Sequence, residues 1–195
     1  MSHVAALLSA MLVLMFIAGC ASPPSRFYTL SAVTTIEGPP SDLSVAVGPV
    51  SVPAAVDRPE IVVSTGPNQV QLEELERWAS PLRDEIARTV AENLVSLLGT
   101  PRVTQTPQTL SGESAYRASI EVQRFDSTPG QSAALDALWT VRRPHDDQSR
   151  TGRTSVREPV SEPGYQGLAA AHSLALARLS QDIADAIRSL HRQAR

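Results

Sequence analysis

The chain has 195 residues, 17 basic against 20 acidic side chains, a formal net charge of −3 and a single cysteine. A near-neutral balance with no basic block argues against nucleic acid as a main partner. With its only cysteine at position 20, the chain can form neither an internal disulfide nor a cysteine-based metal site.

Residues 4–17 form an apolar run that closes on Ile17-Ala18-Gly19-Cys20. The run is too short to span a bilayer, which takes about 20 apolar residues. It has the length of a signal-peptide core followed by small residues at a cleavage site. Residues 1–19 therefore read as a lipoprotein signal peptide and Cys20 as the lipidated first residue of the mature chain. Met1-Ser2-His3 carries no Lys or Arg, a departure from the usual basic start. Ala21 stands where an Asp would commonly signal inner-membrane retention, so the expected destination is the outer membrane, with the domain in the periplasm. Residues 20–26 read as a short tether, and residues 27–195 as one domain held by packing alone.

Phe27-Tyr28-Thr29-Leu30 is β-prone and suggests a first strand. Residues 45–52 alternate as a strand that Pro49 makes an edge or bulged one. Residues 61–64 predict a short buried strand, closed by Gly66-Pro67-Asn68 and paired as a hairpin with residues 70–75. The period then changes. Leu82, Ile86, Val90 and Leu94 recur every four residues, predicting a helix that starts near Ser80-Pro81 and stops at Gly99. Residues 116–125 and 134–142 alternate as strands, and residues 144–152 read as a polar hairpin tip before a strand over 154–160. A last helix over residues 165–191 carries the stripe Leu168, Ala171, Ala175, Leu176, Leu179, Ile183, Ile187 and Leu190. The order predicts an α+β fold, with two long helices on one face of a mostly antiparallel or mixed sheet.

No catalytic constellation emerges. The sequence has neither a Gly-x-Ser-x-Gly elbow, nor a phosphate-cradling glycine loop, nor a paired-histidine metal motif. His145-Asp146-Asp147 reads as a solvated turn rather than a cation site. The expectation is a non-enzyme that needs no cofactor beyond the covalent lipid on Cys20.

Two segments stand out: Val56-Asp57-Arg58-Pro59-Glu60-Ile61-Val62 and Leu75-Glu76-Arg77-Trp78-Ala79-Ser80-Pro81-Leu82. Two readings of them stay open. Either Trp78 fills a core edge and the charges are solvated, or Arg58, Arg77 and Trp78 form an exposed partner interface, a pairing common at binding hot spots.

With Cys20, Phe27-Tyr28-Thr29-Leu30, Val47-Gly48-Pro49-Val50-Ser51-Val52-Pro53, Asp57-Arg58-Pro59-Glu60-Ile61-Val62 and Glu76-Arg77-Trp78-Ala79-Ser80-Pro81-Leu82 in order, the chain resembles the PqiC-type lipoproteins, the ABC-type transport auxiliary lipoprotein component family. The resemblance covers residues 20–98. It implies an outer-membrane lipoprotein that docks an MCE-domain transport protein, helps complete a path for outer-membrane lipid, supports envelope integrity and assembles as a homo-oligomeric ring. The alternative is a lipid-anchored activator or assembly factor for another envelope machine, which calls for a long tether. The six residues 21–26 reach at most about 20 Å.

Overall fold

The computed structural model describes residues 23–33, 38–105 and 115–193. Among the described residues, eight strands and two helices follow one another as β1 (Arg26–Tyr28), β2 (Val45–Ser51), β3 (Glu60–Gly66), β4 (Gln69–Trp78), α1 (Leu82–Leu98), β5 (Val103–Gln105), β6 (Tyr116–Thr128), β7 (Ser132–Arg143), β8 (Gln148–Pro159) and α2 (Gly164–Gln193). The fold is α+β, as the element order predicts.

The strands form two sheets rather than the one sheet expected, a three-stranded sheet ordered β1-β4-β3 and a five-stranded sheet ordered β5-β2-β6-β7-β8. Both are mixed. β1 runs parallel to β4, and β2 runs parallel to both β5 and β6, whereas β3–β4, β6–β7 and β7–β8 are antiparallel. β2 is an interior strand, not an edge. It accommodates Pro49 through a register shift between Val47 and Val50, where the Gly48-Pro49 peptide is cis. The bulge removes the need for a ladder N–H at the proline.

α1 ends where the sequence breaks its period. Gly99 takes the left-handed conformation (φ 62°), and the N–H of Thr100 donates to Val95 O at 3.2 Å. This conformation is open to glycine at little cost. Every residue of the predicted α2 stripe is buried. The helix packs on β7, β8 and α1, so its apolar face is covered by its own fold. Each large aliphatic side chain buried this way contributes about 1.5–3 kcal/mol. One core cluster joins both sheets and both helices, running through Val47, Ile61, Trp78, Ile86, Phe125, Leu135, Leu176 and Ile183.

The hairpin tip between β7 and β8 is shorter than expected. Residues 148–152 belong to β8, where Gly152 faces Trp139 and Gln148 faces Arg143. β5, which the sequence analysis does not anticipate, pairs Val103 with Val45 beside β2. Among the described residues, no helix is long and apolar enough to cross a membrane.

Candidate functional site

The segments singled out in the sequence meet at one end of the three-stranded sheet. In register, Arg26 faces Glu76, Phe27 faces Arg77 and Tyr28 faces Trp78, while Glu60 faces Arg77 from the other side. The Trp78 N–H donates to Pro59 O at 2.8 Å, and the Ala79 N–H donates to Tyr28 O at 2.8 Å. Residues 26–30, 57–62 and 76–82 are thus a single structural unit, although up to fifty positions separate paired residues.

Register partners share a face of the sheet, and the two faces do different things. On the outer face, Phe27 is 63% exposed, and Arg77 forms an ion pair with Glu60. That guanidinium holds the Glu60 carboxyl below its ordinary range. On the inner face, Glu76 is buried. It accepts from Arg26 Nε at 2.9 Å and from Tyr28 Oη at 2.6 Å. Arg26 holds the Glu76 carboxyl below its usual range despite burial, and burial, followed by the bond to Glu76, pushes the Tyr28 hydroxyl up.

Trp78 follows on the same inner face and is only 5% exposed. Its ring lies edge-on to Phe125, with centroids 6.1 Å apart, and to His172 at 6.4 Å. It fills the core edge. Its neighbour Arg77 is the residue that faces outward, paired with Glu60.

Arg58 projects from the β2–β3 loop, a turn closed by the Asp57 N–H on Pro53 O at 3.1 Å. Together with Phe27, Arg77, Trp78, Ser80 and Arg83 it lines a recess of about 420 Å³. Arg83 lies 3.7 Å from Asp57. The Nε atoms of Arg58 and Arg77 are both buried and have no hydrogen-bond partner.

Behind the sheet, the segment that continues β1 is fastened to both helices. The Leu30 N–H donates to Glu85 at 3.0 Å, the Ser31 N–H to Ser173 Oγ at 3.1 Å and the Val33 N–H to Asn93 Oδ1 at 3.2 Å. Arg88 donates to Leu30 O. Burial would raise the Glu85 carboxyl, but donors from Ser80, Arg88 and the Leu30 backbone together hold it below its ordinary value. Asn93 also donates to Ser180 Oγ at 3.3 Å, joining α1 to α2.

Of the residues expected at a site, Arg58 and Arg77 are brought together at the recess, Trp78 forms its floor, and Cys20 lies outside the described residues. Sequence reasoning did not pick out Arg26, Glu76, Glu85 or Arg83. The available signal was their position: each lies within or beside the two unusual motifs or the first strand. His145-Asp146-Asp147 is an exposed turn in which Arg143 pairs with Asp146 and Arg142 with Asp147. Among the described residues, no cluster of three or more His, Cys, Asp or Glu could hold a metal.

One serine–histidine pair does exist. Ser127 Oγ lies 2.8 Å from His172 Nε2. Both residues are buried, His172 is stacked on Phe125 at 3.8 Å, and its Nδ1 has no partner. A catalytic pair needs substrate access and a group orienting the base. This one has neither, and it serves as core.

Solved structures share the fold. An uncharacterized protein aligns at TM-score 0.69 with 21% identity, covering 85% of this chain and 99% of the other. Protein XCC0632 from Xanthomonas campestris aligns at TM-score 0.67 with 19% identity, covering 87% and 100%. No curated protein matches the chain. The sequence pattern of the ABC-type transport auxiliary lipoprotein component family matches residues 28–184, from the first strand into the last helix. The chain belongs to that family, whose members are auxiliary lipoprotein components of transport systems and not an enzyme family.

Proposed function

We propose that this protein is an outer-membrane lipoprotein that holds the periplasmic end of an MCE-type lipid transporter against the membrane. Lipid on Cys20 supplies the attachment, and the folded domain supplies the docking surface. The lipid cargo passes through the partner, or through a passage the two form together. One observation carries this reading: the segment that follows the tether is built into the domain. Residues 26–33 are bonded to β4, α1 and α2, so only residues 20–25 separate Cys20 from a fixed strand. At the extended limit that lead reaches about 20 Å, which keeps the domain at the membrane surface. An activator working across the cell wall calls for a longer lead.

Acyl chains bury about 0.8 kcal/mol per methylene, and stable residence takes more than one chain. Cys20→Ala should therefore move the protein out of the outer-membrane fraction. Purification of the lipidated chain from membranes should recover an MCE-domain protein, and recovery of none would overturn the docking reading. The reading includes a homo-oligomeric ring, implied by the family resemblance and checked by native mass measurement.

A further inference from the structure

We infer that the recess between the β2–β3 loop and the start of α1 binds a phosphate ester, with Arg58 and Arg77 as its ligands. The argument begins with two donors. The Nε–H groups of Arg58 and Arg77 are buried and have no acceptor, and buried donors are nearly always satisfied in folded proteins. Both residues line the same recess, so one acceptor-rich group there can meet the guanidinium groups of both.

Charge selects the kind of group. The recess is lined by three arginines and one carboxylate, Asp57. Asp57 sits at 3.7 Å from Arg83, and Arg77 is shared with Glu60 just outside. Even with both carboxylates counted, the cluster keeps a positive charge. Arg58 has no hydrogen-bond partner at its buried Nε, and its charge acts on Glu60 only at a distance, as the last and smallest of the influences that lower that carboxyl. Planar guanidinium forks match phosphate oxygens bidentately.

The surroundings add to this. No side chain caps the first turn of α1 at Pro81, and a helix start favours negative charge. Of the two acidic residues in that turn, Glu85 is committed to Ser80, Arg88 and the Leu30 N–H, and Asp84 is exposed and does not line the recess. Phe27 gives the recess an exposed apolar wall. A phosphate ester with an apolar substituent therefore fits better than a bare anion. A glycerophospholipid headgroup has this chemistry, whereas free phosphate shares only its charged oxygens. That the headgroup comes from the anchoring membrane rests on the anchoring reading above; binding itself does not.

The test is calorimetric titration of the full lipidated chain in detergent. The probes are dihexanoyl phosphatidylglycerol, dihexanoylglycerol and inorganic phosphate. Saturable binding of the phosphatidylglycerol, none of the dihexanoylglycerol, and a loss of about tenfold or more in Arg58→Gln are expected, since each charge-assisted bond is worth about 1.4 kcal/mol or more. Arg77→Lys, which keeps the pair with Glu60 but loses the fork, should weaken binding with an unchanged melting temperature. Equal binding of inorganic phosphate would overturn the ester assignment and leave a site for free phosphate alone. Absence of binding by either phosphate probe, equal binding of dihexanoylglycerol, or binding indifferent to Arg58→Gln would overturn the proposal. So would a partner protein lost in Arg58→Gln without any phosphate binding. Release of Cys20→Ala from membranes is a separate readout, so anchoring and phosphate recognition can fail independently.

Discussion

The backbone N–H of Leu30 donates to the Glu85 carboxylate at 3.0 Å, and solvent reaches only 4% of that side chain. A charge so enclosed persists because every direction it faces supplies a donor: Ser80 Oγ at 2.7 Å, Arg88 Nη2 at 2.8 Å and the Leu30 backbone. Glu85 is thus the joint between the first strand's continuation and α1.

Removing that joint should be costly. Glu85→Ala leaves the Leu30 N–H and the Ser80 hydroxyl without their acceptor, while Arg88 keeps Glu92 and Leu30 O; stranding buried donors in this way costs about 1–3 kcal/mol. The urea midpoint should fall accordingly, and amide exchange at Leu30 should quicken. A loss under about 1 kcal/mol, the level of an exposed pair, would show that the joint does not hold.

Trp78 and Arg58 should separate core from surface. Trp78→Ala empties a buried site between Phe125 and His172 and should cost about 3–5 kcal/mol. Arg58→Ala removes no ion pair and should stay within about 0.5 kcal/mol. Comparable losses in chemical denaturation would contradict the division drawn between them.

His172 should make stability depend on pH. Burial pushes its folded value down to about 3, against about 6.5 in an unfolded chain. Because the folded value is the lower one, its stability is fully present above pH 6.5. Below that, the unfolded chain gains a proton that the native chain refuses, so stability falls as pH drops toward 3. The slope approaches about 1.4 kcal/mol per pH unit. The window from pH 6.5 to 5 lies above the range in which Glu76 and Glu85 protonate. His172→Gln should flatten the slope there, and an unchanged slope would refute the assignment.

Gly152 is a steric requirement of Trp139. A Cβ at position 152 would lie 2.2 Å from the indole Cζ2. Gly152→Ala should therefore push the ring away and break the bond from Trp139 Nε1 to Thr154 Oγ1, now 3.1 Å. Overpacking of this kind costs about 1–3 kcal/mol. The chain has two tryptophans, and of their two indole N–H resonances only that of Trp139 should shift.

Much of this architecture was written locally. α1 was legible because Leu82, Ile86, Val90 and Leu94 share one helical face and Gly99 ends it; α2 was legible for the same reason. The β3–β4 hairpin was legible from its turn. β5 was not, because three residues after Pro101 carry no period, and they become a strand only by lying against β2. Residues 148–152 looked like a turn because β8 is an outer strand whose side chains mostly face solvent. The third strand of the smaller sheet depends on β1 finding β4, a pairing that no local pattern encodes. At the candidate site the unusual residues were visible one motif at a time. Their meeting, and the choice between the two readings of Trp78, came only from the parallel register of β1 on β4.

That register also sets how the protein bears load. Under the proposed anchoring, the chain would be pulled through residue 25, and β1 lies parallel to β4 with its first residue, Arg26, locked to Glu76. A pull along the strand axis stretches the β1–β4 hydrogen bonds and the Arg26–Glu76 contact together, in shear, instead of unzipping them one after another. Tension applied at residue 25 would be passed to β4 as a whole and, through Leu30 and Glu85, to the first helix.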